Sequence, residues 1–83
     1  MPKWNSFIPS EFQYGFDNDK LRNHDLTIDD AIQCFSHDYK IRKNKKYLDR
    51  FKLLGKTDSG KNICLIFQLK KGNVVRIITG WEI

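Results

Sequence analysis

No stretch of this sequence comes near the roughly 20 consecutive apolar residues that a transmembrane helix requires. The first residues carry no charged-then-apolar leader either. The two cysteines, Cys34 and Cys64, stand 30 positions apart without a partner motif, so no disulfide framework is expected. Both fall inside apolar patterns and read as buried thiols that act as small hydrophobes. Two histidines, His24 and His37, are too scattered from them to complete a zinc site. A reducing, cytoplasmic setting, with no metal, no cofactor and no membrane partner, is the expectation.

Length is scarce as well. The 83 residues make a single domain, and 40% apolar with 30% charged residues is a globular composition. A chain this short buries only roughly 60–65% of the surface its unfolded form exposes, so nearly every strong apolar residue must enter the core. Little is left to line a deep pocket.

Acidic residues run out after the first half. Residues 1–39 hold three basic and seven acidic side chains, a balance of −4; residues 40–61 hold nine and two, a balance of +7; residues 62–83 hold three and one, adding +2. The net +5 is therefore a segregated charge. It suits a polyanion or an acidic protein partner, and equally a solvated loop that keeps the domain soluble.

Periodicity supplies the elements. Residues 1–10, with two prolines, read as an irregular arm ahead of a core over 11–83. Glu11 to Phe16 alternates as a half-buried strand. A short helix is expected from Asp17 or Asn18 to Asn23, and a second from Ile28 to Phe35. In the second, Thr27 caps Asp30, and Ile28, Ala31, Ile32 and Phe35 mark the buried face. Tyr39–Arg42 reads as a brief strand, followed by a turn over Lys43–Lys46 and strands over Tyr47–Leu54, Asn62–Lys70 and Val74–Trp81. Parity places Arg50, Lys52 and Leu54 together, and Val75, Ile77, Thr79 and Trp81 together. Strands joined by short turns are antiparallel. The expected fold class is α+β: a small antiparallel sheet with a pair of N-terminal helices packed on one face.

The runs FQYGFDNDKLRNHDLTIDDAIQCF, DRFKLLGKTDSGKNICLIF and VVRIITGW resemble the BrnT toxins and their uncharacterised relatives within the wider RelE-like ribonuclease group, and the ending Ile-Ile-Thr-Gly-Trp also resembles a sister group of uncharacterised small domains, which implies no activity. The BrnT family pattern opens with an aromatic strand and a basic helix ending in Lys-His-Gly. A capped helix follows, then an arginine ahead of a turn, and an Arg-Ile-Ile strand. The resemblance spans about residues 12 to 81 and preserves order and spacing better than identity. It implies a RelE/BrnT-like fold and the toxin component of a type II toxin–antitoxin system, a metal-independent ribonuclease with RNA as substrate and a cognate antitoxin as partner. It puts His24 on the family histidine, Arg50 on the arginine ahead of the turn and Arg76 on the arginine of the last strand, which makes these three the catalytic set. Asn23 and Asp25 stand where the family prefers lysine and glycine, and Thr79-Gly80-Trp81 replaces the family's Ser-Ala-Arg.

Cleavage of this kind needs a group to help deprotonate the 2′-hydroxyl, one to protonate the leaving oxygen, and fixed positive charge around the phosphorane. Arg50, Lys52 and Arg76 lie on the less apolar faces of nearby strands and can converge on a phosphate, arginine bidentately. His24 or His37 titrates near neutrality, and Tyr47 or Tyr39 can stack on a base. Lys40, Arg42, Lys43, Lys45, Lys46, Lys52 and Tyr47 make up the nucleic-acid-binding set. Each has a structural alternative: His24 as a helix C-terminal cation, Arg50 and Arg76 as cross-strand partners of Asp49 or Glu82, the lysines as a solvated surface, Trp81 as packing. A nucleic-acid-binding module without chemistry, and a domain that docks an acidic protein, share the same features.

Overall fold

The structure is a computed structural model that describes residues 4–83, Asn5 by its backbone alone; residues 1–3 of the expected arm lie outside the described residues. Five segments of alternating polarity become strands: β1 (Glu11–Tyr14), β2 (Lys40–Lys43), β3 (Arg50–Lys56), β4 (Asn62–Lys70) and β5 (Val74–Glu82). They form one sheet in the order β1-β5-β4-β3-β2. The strand with the most continuous apolar content, β4, takes the central position, with a paired neighbour on each edge.

The sheet is mixed where a wholly antiparallel one is expected from the sequence. From β2 to β5 each strand runs antiparallel to its neighbour, but β1 pairs parallel with β5, from Glu11↔Val74 to Tyr14↔Ile77. The hairpin rule constrains only strands joined by tight turns. Between β1 and β5 lies most of the chain, so nothing local sets their direction.

The expected pair of helices is reduced to one. α1 (Ile28–Gln33) opens with a full capping box: Asp30 N donates to Thr27 Oγ1 at 3.2 Å and Thr27 N to Asp30 Oδ2 at 3.0 Å. Phe35 N then bonds to Ile32 O and Ser36 N to Gln33 O, tighter bonds that end the helix early. The segment expected to form the first helix breaks into separate 3₁₀ turns at Phe16–Asn18 and Arg22–His24. Its polar side chains outbid the helix for backbone bonds. Asp19 Oδ1 accepts from Arg22 N, Leu21 N donates to the Tyr14 hydroxyl, and Asp25 adopts a left-handed φ of 58°. A segment this short cannot offset helix nucleation by itself.

Thr27→Ala removes the cap, with an expected loss of about 0.5–2 kcal/mol. At roughly 4–8 °C per kcal/mol for a domain of this size, thermal unfolding followed by circular dichroism resolves it. An unchanged midpoint argues that α1 is held by packing alone.

One face of the sheet carries the core. Phe51 and Leu53 of β3, Ile63, Leu65 and Phe67 of β4, and Val75 and Ile77 of β5 are buried under Leu21, Leu26, Ala31 and Cys34 from the crossover and α1, with Phe7 from the arm. Phe67 lies at the centre, ring to ring with Trp4, Phe35 and Phe51.

A β-bulge in β5 reverses the expected parity. Phe67 pairs with Ile77 but Ile66 pairs with Thr79, leaving Ile78 as the extra residue. Beyond it every side chain changes face. Thr79 and Trp81 leave the side of Val75 and Ile77, and Gly80 turns inward, where a Cβ would lie 2.5 Å from Leu65 Cδ2 and 3.0 Å from the Cys64 carbonyl oxygen.

β3 starts at Arg50 where alternation suggests Tyr47. Asn44 Oδ1 accepts from the Lys46 and Tyr47 amides, and Asn44 N bonds to Arg50 O, which turns residues 44–49 into the hairpin loop.

Candidate nucleic-acid interface

Alternation that buries one face of the sheet turns the intervening residues outward, and the register sets them in rows. Arg50, Gln68 and Arg76 share one row, from β3 through β4 to β5. The next holds Arg42, Lys52, Ile66 and Thr79, and a third holds Lys40, Leu54, Cys64 and Trp81. Lys40, Arg42, Lys52 and Arg76 are exposed and Arg50 is half-buried. With strands about 4.8 Å apart, Arg50 and Arg76 stand about 10 Å apart across Gln68. Cations and apolar surface thus alternate on one shallow face.

Among the described residues neither arginine has an acid partner. Asp49, a candidate acid for Arg50, instead accepts from Gln68 Nε2 at 2.6 Å. Glu82 pairs in register with Ile63, on the covered side of the sheet. Among the described residues the one contact between a basic side chain and a carboxylate within 4 Å is His37–Asp58, at 2.6 Å. The Arg50 guanidinium lies 4.3 Å from the centroid of the Tyr47 ring, a cation–π contact that orients it without cancelling its charge. Tyr47, with Lys46 Nζ also 5.5 Å from its centroid, serves as a support for cations as much as a platform for a base.

The other members of the expected basic set divide. Lys43 pairs in register with Phe51 and points to the covered side of edge strand β2, while Lys45 and Lys46 are exposed in the hairpin loop. His24 ends the turn Arg22–His24, its ring centroid 6.4 Å from that of Trp81. Trp81 lies five positions along β5 from Arg76, roughly 16 Å at strand rise. The structure therefore gathers Arg50 and Arg76 on one row and holds His24 at the far end of the strand. His37 is committed to Asp58, on the loop that follows β3.

Gln68 and the residues around Arg76 escaped the sequence reading. Gln68 was accessible from parity, since it alternates with Ile66 and Lys70 on the outer side of β4. The others were not. Where β1 parts from β5, a cleft of about 220 Å³ is lined by Tyr14, Gly15, Asn18, Lys20, Arg76 and Ile78. Apart from Tyr14 and Arg76, on strands, the residues named come from the irregular segment after β1 and from the bulge, which have no period to detect.

The wall of that cleft is fixed by a hydrogen-bonded pair. Tyr14 Oη donates to Asp19 Oδ1 at 2.5 Å, which holds the Asp19 carboxyl below its ordinary 3.8, assisted by the Arg22 amide. Burial, and then the Asp19 bond, raise the Tyr14 hydroxyl above its ordinary value. A carboxylate whose pKa falls on folding contributes stability above the ordinary value, and this is lost as pH drops from 3.8 through the folded value. Asp19→Asn is therefore expected to be less stable than the parent near neutrality, with the gap closing as pH falls below 3.8. Thermal unfolding across that range checks it; a gap independent of pH would mean the carboxylate charge does not matter.

Both cysteines are buried thiols, as expected. Burial, aided by Asp30, pushes Cys34 up to about 11, and burial raises Cys64 against the opposing charge of Lys52. Among the described residues no cluster of three or more His, Cys, Asp or Glu side chains is placed to hold a metal ion, and no helix is long and apolar enough to cross a membrane. No family model, curated protein or solved structure matches this chain.

Proposed function

We propose that this chain binds single-stranded RNA through the open face of its sheet. The observation that carries the reading is the row Arg50–Gln68–Arg76, two arginines without an acid partner flanking an amide, beside Lys52, Arg42 and Lys40. Unpaired guanidinium groups on an exposed surface favour phosphate. The apolar surface of Ile66, Leu54 and Trp81 between them suits unpaired bases, which stack without sequence preference. RNA points to a cytoplasmic protein.

Binding measured by fluorescence anisotropy should weaken steeply with salt, log K falling by about 0.7 per phosphate contact against log salt. RNA incubated with the protein stays full length in this reading. Binding that is absent, or indifferent to salt, overturns it.

A ribonuclease toxin of the BrnT-like kind, held by an antitoxin that covers the basic face, is a second reading favoured by the same arginine pair. Two guanidinium groups on one row are what a developing phosphorane calls for. Proton transfer then falls to a group other than His24, or to His24 after movement, because roughly 16 Å of strand separates Trp81, its neighbour, from Arg76. Growth arrest with RNA degradation on induced expression is its expected result, and normal growth with intact RNA rejects it.

A further inference from the structure

We infer that the cleft between β1 and β5 is a single-nucleotide subsite, in which Arg76 and Lys20 hold one phosphate and Phe16 stacks on the attached base. The inference rests on the RNA-binding reading and gives that face a defined end. Arg76 reaches the cleft from the open row: its Nη2 lies 4.0 Å from where a Cβ on Gly15 would stand, ordinary van der Waals distance, so the guanidinium lies beside the backbone of the cleft wall. Lys20 lines the same cleft from the crossover and is exposed. Among the described residues neither cation has an ion-pair partner.

That turn carries two carboxylates, Asp17 and Asp19, and neither lines the cleft. Asp19 accepts from the Tyr14 hydroxyl and the Arg22 amide, which leaves the cleft with two cations, the Asn18 amide side chain and the Tyr14 ring. Two cations lining one cleft whose other lining groups are neutral favour an anion. A volume of about 220 Å³ is below the roughly 300–1,000 Å³ typical of sites for drug-sized ligands and suits one phosphate with its sugar.

Phe16 supplies the second half of the recognition. It is 65% exposed although large and apolar, and its ring packs edge-on against Tyr14 of the cleft lining, at 5.1 Å between centroids. An exposed aromatic ring beside a cationic cleft is placed to receive a base. A paired strand cannot present its base to that ring, so the subsite selects unpaired RNA.

The test is a titration of ¹⁵N-labelled protein with adenosine 5′-monophosphate and, in parallel, with adenosine, alongside RNA anisotropy. The monophosphate should shift the amides of Gly15, Asn18, Lys20 and Ile78, and adenosine should shift them far less. Lys20→Ala should weaken the monophosphate about tenfold, as loss of one charge-assisted contact implies. Phe16→Ala should weaken it and erase any preference over inorganic phosphate. Lys61→Ala, which removes the same charge from a distant turn, should change nothing. Equal shifts from both ligands, no shifts at the cleft, or an unchanged Lys20→Ala overturn the inference. RNA binding without monophosphate at the cleft rejects the subsite and leaves the RNA reading intact. Monophosphate at the cleft of a protein that binds no RNA supports the subsite and rejects the reading beneath it.

Discussion

Phe67→Ala is expected to lower the unfolding midpoint by at least about 12 °C, the largest stability effect we expect of a single truncation in this fold. Phe67 has no exposed surface, sits on the central strand and meets the rings of Trp4, Phe35 and Phe51. Those three rings come from the arm, the end of α1 and β3, so one side chain joins every layer that covers the sheet. Truncating a buried phenylalanine costs about 3–5 kcal/mol, because the neighbours cannot close the cavity. For 83 residues, at about 0.05–0.15 kcal/mol each, total stability is about 4–12 kcal/mol. The substitution therefore removes a large fraction of it. Phe67→Leu, which keeps most of the volume, should cost much less. Thermal and urea unfolding of the two variants measure the difference. A shift under about 5 °C for the alanine would mean that the aromatic cluster relaxes into the space and that the core is looser than its packing indicates.

The position of Phe67 was legible in the sequence, because β4 alternates apolar residues over nine positions and its parity needs no tertiary information. The same holds for Arg50 and Lys52, whose shared face survives the shift of the β3 start from Tyr47 to Arg50. Features set by contacts distant in sequence did not show. The parallel pairing of β1 with β5 depends on the path of the whole intervening chain. The Ile78 bulge moves Trp81 to the open face, opposite Cys64 in register, and brings Gly80 against Leu21 and Leu65. Alternation read through Trp81 gives the opposite result, since no residue type announces a bulge. Leu21 is fully buried, yet its neighbours Lys20 and Arg22 make it look like part of a polar turn. His24 illustrates the limit for the site. Its spacing from Arg50 and Arg76 along the chain is compatible with convergence, and only the failure of the expected first helix, which docks the turn on Trp81, separates them.

Arg50→Ala combined with Arg76→Ala should weaken RNA binding by about 100-fold at low salt, the largest functional effect we expect. Each guanidinium contributes a charge-assisted contact of about 1.5 kcal/mol or more, and the two lie on one row across Gln68. The salt dependence separates this from a general loss of positive charge. Two lost phosphate contacts should lower the log–log slope by about 1.4 on a single strand, whichever sequence is bound. Stability should hardly change, since neither arginine has an acid partner and Arg50 gives up only its contact with the Tyr47 ring, worth about 0.5–1 kcal/mol at an exposed site. The double lysine replacement keeps the charge and loses the fork, so it should restore most of the salt slope but only part of the affinity. If the alanine pair binds RNA as the parent does, with an unchanged slope, the phosphates lie instead along Lys43, Lys45 and Lys46 of the hairpin, and the open row is not the interface. If affinity falls but the slope stays, the arginines act by positioning Gln68 and Tyr47, whose own replacement would then reproduce the loss.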